Sequence, residues 1–533
     1  MFYKRLIINN FRGIKNADLE FGKLNFLVGK SDSTKSTILK AIQLVTTPNP
    51  QPIICINDFY KNDTNNEINI EAYIEDFPKE FLSEEKYGLY LLEEYTKIPT
   101  LKICFHVNSD FEVSINVKKE GLEDKPFNFK HRKQISSILI ESNYDKNFFY
   151  GKNSILNNLM DLSNIQQDLK KIINEQDFLI DNDNFKVISN SISNISKKYS
   201  VFGLDNIETK LDKSLISTST SSLGLFVDNV LLSMKGISDK KMLSIGLALE
   251  QNKNNNPILI DEIENSLEPY KIRFMTKRLY YYNNAQNVQI FVTTHSPFCI
   301  GQAEIENIKI VRNNDGLSYL TNIPETLRGF VYDKAAEAIF SKKIIAVEGS
   351  TELGYMNALN ERLMNNDASL AYYGTSVVKF DGDRIIQNAI NLLELGFPVL
   401  LMVDNDVPSQ REKINEFVSK NGKLITYKDG YDLEMACFYD LTIDQMDECF
   451  KNLNDYDEFC EKVNSIFSCN NKSIIDIYHL NTDNFINKIC TSKAIRKVFK
   501  SSLFGKILYN EINKLKIGYM IQKNNEIIEW IKQ

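Results

Sequence analysis

Leu24-Asn25-Phe26-Leu27-Val28-Gly29-Lys30-Ser31-Asp32-Ser33-Thr34-Lys35-Ser36-Thr37-Ile38-Leu39-Lys40-Ala41-Ile42 reads as an apolar strand, a polar loop and the opening of a helix. The run over 24–28 suits a buried strand, and the apolar positions after Ser36 return at helical spacing. A loop in that setting is built for phosphate, because backbone N–H groups and a helix N-terminus attract anions. Lys35 is placed to reach terminal phosphates, and Ser36, followed by Thr37, to help hold Mg²⁺. The pattern is G-x-x-x-x-G-K-[ST] starting at Gly29, with Thr34 where the second glycine belongs. A β-branched residue forced to positive φ there is predicted to cost about 1–3 kcal/mol, which leaves hydrolysis open.

Two later stretches complete a nucleotide constellation. Ile258-Leu259-Ile260-Asp261-Glu262 is a short apolar strand ending in two acids. Asp261 is suited to the Mg²⁺ shell and Glu262 to orienting an attacking water. Thr293-Thr294-His295-Ser296 follows the strand over 288–292, which sets His295 within reach of a γ-phosphate.

A second constellation follows residue 330. Ile344-Ile345-Ala346-Val347-Glu348 delivers Glu348 at a strand end, with Ser350 or Thr351 as helix cap and Glu352 in the first turn. Strands at 376–380 and 398–403 alternate with helices at 352–364 and 385–395, which predicts a parallel sheet covered by helices. The last of these strands runs into Met402-Val403-Asp404-Asn405-Asp406. If strand geometry continues, Asp404 and Asp406 share a face. Hard carboxylates at strand ends suit Mg²⁺ or Mn²⁺, which activate water and stabilise a leaving oxygen in phosphodiester cleavage. Asp432 and Glu434 are candidates for the same metal shell; Asp381 and Asp383 form a lower-ranked pair.

Composition sets outer bounds. A chain of 533 residues allows two to four domains at about 150 residues each. Its 43% hydrophobic and 25% charged residues exclude a fully disordered, collagen-like or small disulfide-scaffold protein. A net charge of −7 excludes a general basic nucleic-acid coat, so nucleic acid must meet a local basic patch or carboxylate-held metal. The eight cysteines form no C-x-x-C pair and only four histidines are present, so no zinc site is expected. The opening residues lack signal-peptide features, and no run of about 18 apolar residues appears. The expectation is a cytoplasmic protein with reduced thiols and no membrane partner.

The first constellation resembles the ATP-binding-cassette ATPases of the SMC and RecF type. Ile8-Asn9-Asn10-Phe11-Arg12-Gly13 and Asp261-Glu262-Ile263-Glu264-Asn265-Ser266-Leu267-Glu268-Pro269 are similar to theirs. The resemblance implies ATP held by Gly29, Lys35, Ser36, Thr37, Asp261, Glu262 and His295. It also implies paired heads, each offering a signature loop. The nearest stretch here, Ser233 to Lys241, is a poor match, and Gln43 follows the phosphate loop too closely for the family's glutamine.

The second constellation resembles the Toprim domain, whose marks are a Glu after the first strand and D-x-D after a later one. Glu348, Asp404 and Asp406 match. By resemblance to related nucleases, Lys493 would stabilise charge on the scissile phosphate. An ATPase head followed by Toprim is the arrangement of the OLD (overcoming lysogenization defect) nucleases, a group to which Gabija antiphage nucleases are related. Ala335-Ala336-Glu337-Ala338-Ile339-Phe340-Ser341-Lys342-Lys343 leading into Glu348 is similar to this family.

The expected fold is therefore α/β. An ATP-binding-cassette-type head would span 1–325, with a helical dimerisation insertion over 130–215. A Toprim core would span 330–435 and a mainly helical region 436–533. The family implies a metal-dependent DNA endonuclease or nickase with catalytic Glu348, Asp404, Asp406 and Lys493. Glu348, Glu352, Asp404, Asp406, Asp432 and Glu434 would hold metal. Regulation by nucleotide, homo-oligomers and antiphage defence belong to the same implication. Two alternatives stand: a nucleotide-sensing scaffold or regulator acting with a partner protein, and a Toprim nuclease cleaving RNA or tRNA.

Overall fold

The computed structural model describes residues 1–47, 49, 52–92, 98–141, 183–201, 207–211, 223–252, 254–332, 336–380, 384–404, 411–453 and 455–533. The chain divides into two compact units, Met1–Glu325 and Thr326–Gln533.

The first unit is built on a mixed sheet of 13 strands. Its strands are β1 (Phe2–Phe11), β2 (Ile14–Glu20), β3 (Leu24–Val28), β4 (Ile68–Glu75), β5 (Thr100–Val107), β6 (Val113–Val117), β7 (Lys125–Pro126), β8 (Ile138–Ile140), β9 (Ile258–Ile260), β10 (Ile290–Thr293), β11 (Ile308–Asn314) and β12 (Leu317–Asn322). Their order is β7-β6-β5-β4-β1-β2-β12-β11-β3-β10-β9-β8, with Leu91–Leu92 paired on β5. One half, from β7 to β2, is antiparallel; the other, β11-β3-β10-β9-β8, is parallel. The patterning explains the split. β4 alternates buried and half-buried residues, whereas β3, β9 and β10 are buried throughout, as expected of strands covered on both faces. Helix α1 (Lys35–Val45) buries Ile38, Leu39, Ala41, Ile42 and Val45. Helices α2 (Ile237–Glu250) and α3 (Pro269–Gln286) flank β9 in sequence.

The helical insertion expected over 130–215 lies largely outside the described residues. Within the described part, 183–198 is a helix, but Ile138–Ile140 is a strand pairing parallel with β9, and Ile207–Leu211 joins a separate three-stranded sheet. The departure has a simple cause: a three-residue apolar run carries no period, so only its sheet partner decides its state.

The second unit holds four parallel strands, β13 (Lys343–Val347), β14 (Thr375–Lys379), β15 (Val399–Met402) and β16 (Lys423–Ile425), in the order β14-β13-β15-β16. The chain runs out from β13 to one side, then returns to the other, so the switch point lies between β13 and β15. Ligands of open parallel sheets gather at the carboxyl ends beside such a point. Helices α4 (Ser350–Met364), α5 (Ile385–Glu394) and α6 (Arg411–Ser419) connect the strands. The rest is helical, including α7 (Leu433–Asp440), α8 (Lys493–Phe499), α9 (Ser502–Ile512) and α10 (Tyr519–Lys532). One apolar core runs from Ile345 and Met402 through Phe438, Phe499 and Phe504 to Ile531, so these helices are continuous with the sheet domain.

The junction of α4 with α9 is unusually close. A Cβ on Gly354 would stand 1.8 Å from the carbonyl oxygen of Ser502, and one on Gly505 1.9 Å from that of Thr351. Only glycine at both places permits this backbone-to-backbone approach. Among the described residues, no helix is long and apolar enough to cross a membrane.

Candidate active sites

In the first unit, β11, β3, β10 and β9 are successive neighbours. Their carboxyl ends therefore bring together the Gly29 loop, Asp261 and the Thr293–His295 turn. Gly29 has φ 144° and a Cβ there would lie 2.7 Å from the Val311 carbonyl oxygen, so the loop's first glycine is required. Thr34 occupies the left-handed region at φ 69° and ψ 15°, the conformation a glycine would take without strain. Its Oγ1 donates to the Ser33 carbonyl at 2.5 Å and lies 3.0 Å from Ser318 Oγ.

Lys35 is buried and folded over its own loop, donating to the carbonyls of Gly29 (3.1 Å) and Lys30 (2.8 Å) and to Ser33 Oγ (3.1 Å). Burial pushes its pKa down to about 8, against the pull of Glu264, Asp261, Glu262 and Asp32. Ser36 Oγ donates to Asp261 Oδ1 at 2.9 Å, and Thr293 Oγ1 donates to the same oxygen at 2.5 Å. Thr37 is half-buried one position further along α1. The Glu262 N–H donates to Thr293 Oγ1 (2.7 Å), and Glu262 itself takes φ 47°. Glu264 accepts from Thr294 Oγ1 and from the His295 N–H, both at 2.7 Å. Burial, then the charge of Lys35, lowers the pKa of the His295 imidazole, favouring its neutral form.

A buried lysine at the end of the Ser233–Lys241 stretch completes this cluster. Lys241, on α2, donates to the carbonyl oxygens of Glu262 and, at 3.2 Å, Asn265. Burial lowers its pKa to about 8 as well. It thus ties the acid-bearing turn to the helix behind it.

In the second unit, Glu348 ends β13 and Asp404 follows β15, on either side of the switch point. The Asp404 N–H lies 3.5 Å from Glu348 Oε2. Glu352 is 2% exposed; its Oε2 accepts the Gly349 N–H at 2.9 Å, while Oε1 has no hydrogen-bond partner. The cap of α4 is thus Gly349, and Glu352 closes the turn. Thr351, expected as a possible cap, instead places Oγ1 3.1 Å from Glu434 Oε1 and 3.0 Å from the Phe499 carbonyl oxygen.

Asp432 caps α7, accepting from the Met435 N–H at 2.8 Å, and Glu434 sits 1% exposed in its first turn. Asp404 Oδ1 accepts from the Leu433 N–H at 3.3 Å. Burial, reinforced by Glu352 and Glu348, holds the Asp404 carboxyl well above its usual range. Burial and Asp432 push Glu434 up to about 7, and its Oε2 has no hydrogen-bond partner.

The cations beside these acids come from α8 and its end. Lys500 Nζ lies 3.5 Å from Glu434 Oε1, and Arg496 Nη2 lies 3.8 Å from Asp432 Oδ2. Burial disfavours the Lys500 charge, yet Glu434, Asp404, Glu352 and Asp432 together raise its pKa. Lys493, expected in this role, stands exposed at the other end of α8, about 10 Å along the axis. The lysine brought to the carboxylates is Lys500, because the close α4–α9 approach sets the chain just before α9 against Thr351. Asp406, with Asp381 and Asp383, lies outside the described residues.

Among the described residues no group of three or more His, Cys, Asp or Glu side chains stands ready around one metal position. The donor set nevertheless fits a divalent cation. Glu348, Glu352, Asp404 and Glu434 supply hard oxygen, two of these oxygens are buried without a hydrogen-bond partner, and burial with mutual repulsion raises the pKa of Asp404 and Glu434, which a bound cation would offset.

A mixed-sheet unit with a phosphate loop thus precedes a parallel, carboxylate-bearing unit, the arrangement expected of an ATPase head followed by Toprim. Residues 339–406 match the model for the "Overcoming lysogenization defect protein-like, TOPRIM domain", and residues 245–300 match "AAA domain, putative AbiEii toxin, Type IV TA system". The chain is 22% identical over 460 residues to an OLD nuclease of Thermus scotoductus, covering 78% of this chain and 84% of that one. It is 24% identical over 329 residues to an ATP/GTP phosphatase of Helicobacter pylori, covering 54% and 84%. A crystal structure of an Smc head bound to the C-winged helix domain of ScpA aligns at 16% identity with a TM-score of 0.42, covering 62% of this chain and 100% of that one. The two family models and the Thermus relative support an OLD-family ATPase–Toprim protein.

Proposed function

We propose that the chain is a divalent-metal-dependent nuclease acting on DNA, regulated by nucleotide bound at its ATPase unit. The observation that carries this reading is the convergence of Glu348, Glu352, Asp404 and Glu434 with Lys500 at the switch point of the parallel sheet. Those acids, with Asp406 and Asp432, would hold Mg²⁺ or Mn²⁺. A bound divalent ion supplies an acidified water and charge neutralisation at the leaving oxygen. Lys500 offers a cation to the scissile phosphate, and Glu348, the most exposed of the inner acids, is suited to hold or move a proton at that water. In the ATPase unit, Lys35 and the loop N–H groups would take phosphates, Ser36 and Asp261 the associated Mg²⁺, and Glu262 and His295 the γ-phosphate side. Homo-oligomers and a part in antiphage defence extend the same reading by family resemblance, and the unpaired cysteines favour a cytoplasmic setting.

The test is cleavage of supercoiled plasmid and of total RNA with Mg²⁺ or Mn²⁺, with and without ATP, beside Glu348→Ala. Metal-dependent plasmid cleavage abolished in the folded variant is the expected result. Cleavage retained in Glu348→Ala would overturn the catalytic assignment, and cleavage of RNA alone would move the substrate to RNA. A second reading, a nucleotide-sensing regulator acting with a partner protein, is favoured by the left-handed Thr34 and by Lys35 folded onto its own loop. No cleavage in any lane, with ATP bound and not hydrolysed, would select it.

A further inference from the structure

α8 carries Lys493, Arg496 and Lys497, and Lys500 follows at its end, a spacing of i, i+3, i+4 and i+7. Residues so spaced form one helical face. Ile495 and Phe499 turn the other way into the core. This makes a short basic ridge on a chain whose net charge is −7. The ridge has a direction. Arg496 and Lys500 lean on Asp432 and Glu434 at the carboxylate cluster. Lys493 and Lys497 are exposed and make no ion pair to a described residue. The ridge therefore leads away from the cleavage position with cations left over.

A second feature meets it at Asp432. Tyr431, the residue before that cap, stacks on Tyr439 with ring centroids 4.9 Å apart and planes 14° from parallel. Near-parallel stacking is not needed to bury these rings, because Tyr439 remains 49% exposed. An aromatic pair presenting an outer ring beside a basic ridge has the two parts of a single-strand site. Cations follow the backbone, and a ring accepts an unpaired base without regard to its identity. A paired base offers no free face to such a ring.

We propose that the Tyr431–Tyr439 stack and the Lys493–Lys500 ridge form a track for single-stranded nucleic acid alongside the carboxylate cluster, so that the preferred substrate has unpaired bases beside the scissile phosphate. The proposal names the substrate of the nuclease read above and rests on that reading for its consequence, but not for its binding test.

The test is fluorescence anisotropy with the full-length chain in EDTA, using a short fluorescein-labelled single strand and a blunt duplex of the same sequence. The single strand is expected to bind more tightly than the duplex. Tyr439→Ala should weaken single-strand binding about tenfold, within the range of one base–ring stack, and Tyr439→Phe should restore it. The Lys493→Ala/Lys497→Ala double variant should shrink the slope of log affinity against log salt by about 1.4, the contribution of two phosphate contacts to a single strand. Tyr439→Leu, which keeps apolar volume without a ring, should match the alanine variant and so separates stacking from folding. Equal binding of duplex and single strand, or unchanged binding in both ring-less variants, overturns the track. Tight single-strand binding without any metal-dependent cleavage would sink the nuclease and leave the track standing; cleavage with ring-independent binding would do the reverse.

Discussion

Around Lys35 and Lys241, buried lysines lose basicity although Asp261, Glu262 and Glu264 stand near; around Asp404 and Glu434, buried carboxyls lose acidity although Lys500 stands near. Desolvation is the largest cause in both places, and it penalises whichever charge is buried without enough of its opposite. The difference lies in what each site lacks. In the ATPase unit Asp261 and Glu264 are spent on Ser36, Thr293, Thr294 and the His295 N–H, and Lys35 is spent on loop carbonyls, so an incoming phosphate would find a cation to release. In the Toprim unit two buried carboxylate oxygens have no hydrogen-bond partner, so the missing charge there is positive. One site is short of an anion and the other of a cation.

That contrast can be broken most forcefully through the Toprim scaffold. Gly505→Ala drives a methyl into the Thr351 carbonyl and should destabilise that unit by about 3 kcal/mol, dispersing Lys500 from Glu434 in the process. Scanning calorimetry should show the loss in one transition only; no loss would mean that the α4–α9 approach is slack. Next in size is the cation itself. Mn²⁺ at about a hundredfold over its Kd should stabilise the Toprim transition by about 2.7 kcal/mol, and Asp404→Asn should remove most of the gain. A Mn²⁺ shift of equal size in Asp404→Asn would place the ion elsewhere.

The anion side calls for smaller effects. Lys35→Ala should weaken ATP binding about tenfold, roughly 1.4 kcal/mol, by calorimetric titration, while the Mn²⁺-induced shift of the Toprim transition stays in place. Equal ATP affinity in both proteins would remove Lys35 from the site. Smallest is Thr34→Gly. Left-handed backbone costs a β-branched residue about 1–2 kcal/mol, and glycine's added freedom when unfolded offsets part of it. A net gain of about 1 kcal/mol in the ATPase transition is expected; a loss would mean that the Thr34–Ser318 hydroxyl contact outweighs the strain.

Much of this is legible in the amino-acid sequence alone. Glu348, Asp404 and Asp261 follow short, wholly apolar runs, and such runs announce central parallel strands whose ends collect chemistry. The positive φ of Thr34 was legible too, because the loop pattern demands it of whatever stands there. What escaped depends on long-range packing. Nothing local distinguishes Lys493 from Lys500; the choice is made by Gly354 and Gly505, some 150 residues apart, letting two helices touch. Lys241 escaped for the same reason, since its partners are backbone carbonyls of a distant turn. The i, i+3, i+4, i+7 spacing of Lys493, Arg496, Lys497 and Lys500 was the available signal that Lys493 is not the only cation on this face.

The Gly354–Gly505 contact also bears on synthesis. Domains fold as they leave the ribosome, N-terminal first, so the acids of β13 and β15 emerge well before the lysine that faces them. Until α9 has cleared the exit tunnel and locked onto α4, Glu434 has no Lys500, and the carboxylate cluster is open on one side. Ribosome-bound chains arrested before residue 500 would then hold a folded first unit and a carboxylate cluster still without its facing lysine.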